Sequence, residues 1–279
     1  MFIKKLLIGL FALAFSFNAR SQYFYKDIVS NQQLLADMSA YKQNNIKTIN
    51  IISLENNGMP SEGFFCQKKF NKGYTKSELV TRADMASASM LTSTFNKQGL
   101  LVSTHDSSDI AVTSNFYRYD DKNQIISILS SIRSKDDDFV TAILEEHLYN
   151  YSVDGIPETM TRVRNRTDST VILFAVDENN QVAIEKDTKS GTKFYYYYDA
   201  KKRLTDIVQE NEFKPRLKPD YIFEYNNASG KISAMTTTEE GVNDFFVWRY
   251  TYDGDLRIKE NCYNRAKQLL GTIEYQYKK

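Results

Sequence analysis

Tyr196-Tyr-Tyr198-Asp199-Ala-Lys-Lys-Arg203-Leu204 is the stretch whose reading decides the fold. With Phe194 before it, aromatic residues fall on every second position, as on a strand with one packed face. Asp199 then opens a polar turn, and Leu204 begins an aliphatic return strand. The phrase recurs as Phe223-Glu-Tyr225-Asn226 leading to Ile232, and as Tyr250-Thr-Tyr252-Asp253 leading to Leu256. Such self-similarity marks one supersecondary unit whose copies stack to share a core. The phrase carries no reactive group, so it describes a scaffold.

The alternation extends in both directions. Tyr117/Tyr119, Tyr149/Tyr151, Tyr221/Phe223/Tyr225, Trp248/Tyr250/Tyr252 and Tyr275/Tyr277 fall on one face. Arg118, Asn150, Glu224, Arg249, Thr251, Glu274 and Gln276 fall on the other. Antiparallel strands with one packed and one wet face read this way. A one-residue slip would turn every aromatic to water, so the pattern also sets the register. Turn signals at Asn71, Asn96, Asp120, Asp154-Gly155, Asp177, Asp199, Asn226 and Asp253 recur every few tens of residues, the range of repeat units. Residues 46–279 therefore read as a single β-repeat domain, all-β, an antiparallel meander of about sixteen strands in a curved or rolled sheet. Upstream, Ile28, Leu34, Leu35, Met38 and Tyr41 recur near helical spacing and predict one short helix within residues 22–45, capping the start of the sheet.

The first residues carry a targeting pattern. Lys4-Lys5, the apolar run Leu6–Phe17 and Ala19-Arg20-Ser21 predict a signal peptide over residues 1–21. The apolar run is shorter than the roughly 20 residues of a membrane-spanning helix, and no Cys follows it for lipid attachment. The expectation is a protein of the periplasm, or one secreted or held at the cell surface, with no integral membrane span after cleavage. Cleavage removes Lys4, Lys5 and Arg20 and takes the formal charge from +1 to −2. The remaining Lys and Arg are scattered rather than clustered, which excludes nucleic acid as a partner. An outer-membrane barrel fits poorly, because the aromatic strands read as short and Lys or Arg follows nearly every one.

Tyr196-Tyr-Tyr198-Asp199-Ala-Lys-Lys-Arg203-Leu204 resembles the repeat of the RHS/YD family, whose unit is Tyr-x-Tyr-Asp-x-x-Gly-Arg-Leu. Tyr117-Arg-Tyr119-Asp120 and Tyr250-Thr-Tyr252-Asp253 match its first half, and Ser229-Gly230-Lys231-Ile232 resembles its second. The resemblance implies β-hairpin units winding into a sheet that can close as a shell, in a small exported YD-repeat-like protein of the kind common in Bacteroidota.

Reactive constellations are sparse. His105 and His147 show no shared motif, and no metal-ligand spacing, nucleophile elbow or phosphate loop is present. No catalytic residue, metal site or cofactor is therefore assigned. Asp136-Asp-Asp138 lacks the spaced acids and Gly of a calcium loop and reads as a solvated turn. Cys66 and Cys262 have two readings: two buried free thiols, or a disulfide, which requires Cα atoms within about 7 Å and hence a sheet closed on itself. Alternation fails at Phe194–Tyr198, where some Tyr must face outward. Tyr195, Tyr197, Trp248 and Tyr250 are the candidate binding residues, since Tyr and Trp offer flat apolar area with a polar tip. The expected function is a non-enzymatic binding module of the cell envelope, contacting glycan or protein through an aromatic-rich sheet. The alternative is a structural or assembly factor of the periplasm or outer membrane.

Overall fold

The computed structural model describes residues 23–83, 87–135, 142–210, 219–238 and 244–279. The leader segment 1–21 and Asp136–Asp138 lie outside them. Helix α1 spans Tyr25–Gln43. The first strands are β1 (Thr48–Glu55), β2 (Phe65–Phe70), β3 (Lys76–Arg82), β4 (Ser89–Phe95), β5 (Leu101–Ser107) and β6 (Ala111–Tyr119). There follow β7 (Ile125–Ser134), β8 (Ala142–Tyr151), β9 (Pro157–Arg164), β10 (Asp168–Val176), β11 (Val182–Asp187) and β12 (Lys193–Tyr198). The last are β13 (Leu204–Glu210), β14 (Pro219–Tyr225), β15 (Ile232–Thr238), β16 (Phe245–Asp253), β17 (Leu256–Asn264) and β18 (Leu269–Lys278).

Every strand pairs antiparallel with its sequence neighbours, and β1 pairs with both β2 and β18. The meander is a closed eighteen-stranded barrel. Closure leaves no exposed sheet edge, the usual route to aggregation of a long sheet. The seam runs from Thr48↔Lys278 to Glu55↔Gly271 and sets Ile49 and Ile51 opposite Tyr277 and Tyr275.

The repeat phrase has a mechanical meaning. Asp199 Oδ1 accepts the backbone N–H groups of Lys201 and Arg203, and Asp120 and Asp177 do the same in their own turns. Lys202 stands where the repeat pattern has Gly and takes a φ of +61°, a left-handed angle that Gly adopts at less cost. Arg203 closes on Asp199 at 2.5 Å and stacks on Tyr225 of the next unit, 4.4 Å from its centroid. A bulge precedes each of these turns, at Arg118/Tyr119, Ala175/Val176 and Tyr197/Tyr198, and another at Glu224/Tyr225 precedes the Asn226 turn. The tyrosine after the bulge then reaches back. Tyr119, Tyr151, Tyr198 and Tyr225 donate their hydroxyls to the carbonyls of Leu101, Ile125, Val182 and Leu204, each at the start of an earlier strand. The second Tyr of Tyr-x-Tyr-Asp is thus a stitch between consecutive hairpins.

The aromatic face points into the lumen, where Tyr149, Phe194, Tyr196 and Trp248 are buried. Helix α1 does not cap the sheet; it lies within the lumen, touching the wall on opposite sides. Its start meets Tyr196 and Phe174, and its end meets Phe70 and Tyr277. A barrel of this many strands is too wide for wall side chains alone to fill, so the helix supplies the missing interior.

Outward positions carry Lys69, His105, Arg118, Lys186, Glu224, Arg249 and Gln276, all exposed. Apolar residues such as Phe116 and Leu129 occur among them without forming a charge-free band. Aromatic inside and charged outside is the reverse of a lipid-facing barrel wall. Strand length does not decide the matter, since β8, β16 and β18 reach nine or ten residues. No helix among the described residues is long and apolar enough to cross a membrane.

Closure does not join the cysteines. Cys66 and Cys262 are both free and buried. They sit on β2 and β17, with β1 and β18 between, so three strand spacings of about 4.8 Å separate them, roughly 14 Å and beyond disulfide reach. Burial, and then the neighbouring Glu260, push the Cys262 thiol up to about 12, and burial raises Cys66 as well. A thiol reagent at neutral pH is expected to modify neither in the native protein and both after denaturation. Rapid labelling of the folded chain would refute that placement.

Candidate functional site

The polar groups of the lumen gather along α1. At its start, the Glu185 carboxylate on β11 accepts the backbone N–H groups of Phe24 (2.8 Å) and Tyr25 (2.9 Å) and the Tyr196 hydroxyl (2.8 Å). No side chain of the helix caps this end, so a residue 161 positions away does so. Glu185 is 2% exposed. Burial raises its pKa to about 7, against the opposing hydrogen bonds from Phe24, Tyr25 and Tyr196.

One turn on, Asp27 meets β8. His147 Nδ1 lies 2.6 Å from Asp27 Oδ2, and Nε2 lies 3.0 Å from Glu145 Oε1. Tyr149 donates its hydroxyl to Asp27 and to the Phe24 carbonyl, and Arg164 on β9 forks onto Glu145. Burial alone would lower the imidazole, but the two carboxylates outweigh it and raise His147 to about 9. Burial likewise opposes ionisation of Glu145, yet His147 and Arg164 hold it down at about 2. His147 is therefore an imidazolium at neutral pH, with both N–H groups committed. A general base needs a free ring nitrogen, and this one has none.

A second cluster lies towards the end of α1. Arg257 pairs with Glu260 at 3.0 Å and stacks on Tyr250, and the Tyr275 hydroxyl donates to the same Glu260 oxygen at 2.5 Å. Lys68 on β2 places its ammonium over the rings of Tyr41 and Phe70, 5.6 and 5.5 Å from their centroids.

Between the clusters, α1 stands off from β2–β8 and leaves a cavity of about 430 Å³. Gln33 lines it and is exposed, so the cavity is open to water. Its wall carries one row of polar side chains in cross-strand register: Ser77↔Ser93, Ser93↔Thr104, Thr104↔Asn115, Asn115↔Ser130 and Ser130↔Glu145. Asn115 donates to Thr104 at 2.8 Å and accepts from Ser130 at 2.6 Å. Leu79, Leu91 and Tyr117 line the cavity alongside.

The four candidate aromatic residues do not share a surface. Trp248 and Tyr250 face the lumen; Trp248 is 4% exposed and its indole N–H has no partner among the described residues. Tyr195 and Tyr197 face outward on β12, opposite Phe194 and Tyr196. Tyr197 is 47% exposed, and Tyr195 donates its hydroxyl to Glu210, which Lys193 approaches at 3.5 Å. His105 is also on the outer face, bonded to Ser114. From Ala142 the chain is a regular part of the wall, β8 turning into β9 and β10. Sequence reading missed Asp27, Glu145, His147, Glu185 and the polar row. For His147 and Glu145 a signal exists: they lie two and four positions before Tyr149, on the inward face.

No protein-family model and no curated protein matches the sequence. Among solved structures, a porin-like protein from Bacteroides uniformis is similar at 10% identity and a TM-score of 0.40, over 84% of this chain and 96% of that one. The TcdB2-TccC3-TEV crystal structure is similar at 12% identity and a TM-score of 0.36, over 76% of this chain. A mutant Tc holotoxin pore from Photorhabdus luminescens is similar at 10% identity and a TM-score of 0.28, over 85% of this chain. The chain spans only 12% and 17% of the length of those two toxin chains.

Proposed function

We propose that this chain is an exported, non-enzymatic binding module of the cell envelope, a closed barrel that offers fixed surfaces to a glycan or protein. The observation that carries the reading is the double clamp on His147. The titratable groups around the start of α1 are spent on holding it against the wall: His147 on Asp27 and Glu145, Arg164 on Glu145, and Glu185 on the helix start. Groups committed in this way stiffen a scaffold and are not themselves free to move a proton. The leader pattern and the charged outer wall both agree with a water-exposed exported protein. An assembly factor of the periplasm or outer membrane is the alternative reading, and it uses the same rigid wall.

Incubation of the purified protein with envelope glycans and envelope extract tests the reading, with bound material and products followed by mass spectrometry. Retention of a glycan or protein without chemical change is the expected result; any catalytic turnover refutes it. Tyr195→Ala/Tyr197→Ala locates the surface. Loss of retention places the contact on the outer face of β12, and unchanged retention places it elsewhere on the module. Capture of a single envelope protein and no glycan would favour the assembly-factor alternative.

A further inference from the structure

The open cavity between α1 and β2–β8 combines three features that the scaffold itself does not require. The first is the polar row. A wall packed only for stability would continue the apolar side chains seen at Tyr149, Phe194 and Trp248 on the other strands. Here Ser77, Ser93, Thr104 and Asn115 stand inward on four consecutive strands, each buried and each in register with the next. Hydroxyl and amide groups in a line donate and accept hydrogen bonds without net charge, which matches a ligand with several hydroxyls.

The second feature is Lys68. Among the groups lining the cavity the carboxylates are hydrogen-bonded to other side chains: Asp27 and Glu145 to His147, and Asp37 to the Gln33 amide at 2.8 Å. Lys68 is not. It makes no ion pair among the described residues, and its ammonium faces two aromatic rings, with Asp37 acting on it only through space. Burial lowers its pKa below the ordinary lysine range. An ammonium has three donors, and ring faces satisfy them poorly compared with a carboxylate oxygen. The third feature is apolar area beside the row, at Leu79, Leu91 and Tyr117, which suits the C–H faces of a ring.

We propose that the lumen cavity is a binding site for a small polyhydroxylated acid of the sugar-acid class, its carboxylate on Lys68 and its hydroxyls along the row Ser77–Ser93–Thr104–Asn115. This deepens the binding-module reading and rests on it for the absence of turnover. The cavity's size falls in the range of small-molecule sites, so it takes one or two sugar units rather than a chain.

Isothermal titration calorimetry on the full chain, with D-glucuronate, D-glucose and acetate as probes, tests it. Glucuronate is expected to bind at least about 10-fold tighter than either glucose or acetate, since a charge-assisted hydrogen bond and the hydroxyl contacts each contribute on that scale. Lys68→Met should erase the preference for glucuronate over glucose, and Asn115→Leu should weaken both sugars about 10-fold. Glu224→Ala, on the outer wall, should change neither. Circular dichroism checks that each variant folds. If Asn115→Leu does not fold, Ser93→Ala takes its place, and the fall of wild-type affinity with added salt reads the Lys68 contact independently. Failure of the wild type to bind glucuronate overturns the proposal, as does a preference that survives Lys68→Met. If no sugar acid binds but an envelope protein or longer glycan is retained, this inference falls and the binding-module reading stands.

Discussion

His147→Leu is expected to lower the unfolding free energy at pH 7 by about 3 kcal/mol, because it strands two carboxylates that the imidazolium now joins. His147 is 9% exposed, and the Glu145 side chain 11%. Asp27 on α1, Arg164 and Arg162 on β9, and Tyr149 on β8 are the other polar groups around it. With His147 gone, Asp27 keeps the Tyr149 hydroxyl and Glu145 keeps Arg164, and neither keeps the imidazolium that now joins them. Removing one partner of a buried pair costs more than the pair's net contribution, because the remaining charge has lost its hydration as well as its partner.

The same triad gives stability a pH dependence whose sign follows from the shifts. His147 is raised from 6.5 to about 9, so its contribution is fully present below pH 6.5 and disappears as pH rises through 9. Glu145 is lowered from 4.5 to about 2, so its contribution is present above pH 4.5 and disappears as pH falls through 2. Denaturant unfolding at pH 5, 7 and 9 should show the wild type losing about 3 kcal/mol through His147 between the first and last, on top of the loss through Glu185. His147→Leu should lose about 3 kcal/mol less than the wild type over that range. An NMR titration should find both ring nitrogens protonated through pH 8; an imidazole titrating near its ordinary value would sink the clamp.

The extent to which this molecule is legible in its sequence divides by distance. Tyr-x-Tyr-Asp specifies a strand, a bulge and a capped turn within a few residues, so the all-β meander and its inward aromatic face follow from alternation alone. Asp199 accepting from Lys201 and Arg203 is as local as a contact can be. Closure is not local. The β1–β18 seam needs the sum of eighteen strand twists, and nothing in Thr48–Glu55 announces Leu269–Lys278 as its partner. The helix is legible as a helix, but its place inside the lumen depends on the barrel's width. The cavity row is hidden for another reason. Ser77, Ser93, Thr104, Asn115 and Ser130 follow one another at intervals of 16, 11, 11 and 15 residues, so no single spacing in the chain marks the whole row. Trp248 and Tyr250 were grouped with Tyr195 and Tyr197 by composition, and the pleat sends the two pairs to opposite faces.

Glu185→Ala should be the most disruptive single change in the lumen, lowering stability by about 4 kcal/mol. It removes the acceptor of two backbone N–H groups and a tyrosine hydroxyl, and each buried donor left unpaired costs about 1–3 kcal/mol. It also opens a void beside Tyr196. Glu185→Gln keeps an acceptor for the helix start and should cost only about 1–2 kcal/mol. Glu185 is raised from 4.5 to about 7, so neutralising it favours the folded state: that advantage is complete below pH 4.5 and gone as pH rises through 7. The gap between wild type and Glu185→Gln should therefore narrow from pH 5 to pH 8, leaving only the His147 dependence in the variant. Trp248, the single tryptophan, sits in the same buried cluster as Met38 of α1 and reports on the helix directly. In Glu185→Ala, Trp248 emission should change at lower denaturant than the far-ultraviolet signal of the strands, because the helix is loosened at its anchored end before the wall opens. Coincident transitions with wild-type midpoints would show that the barrel holds its plug without this carboxylate.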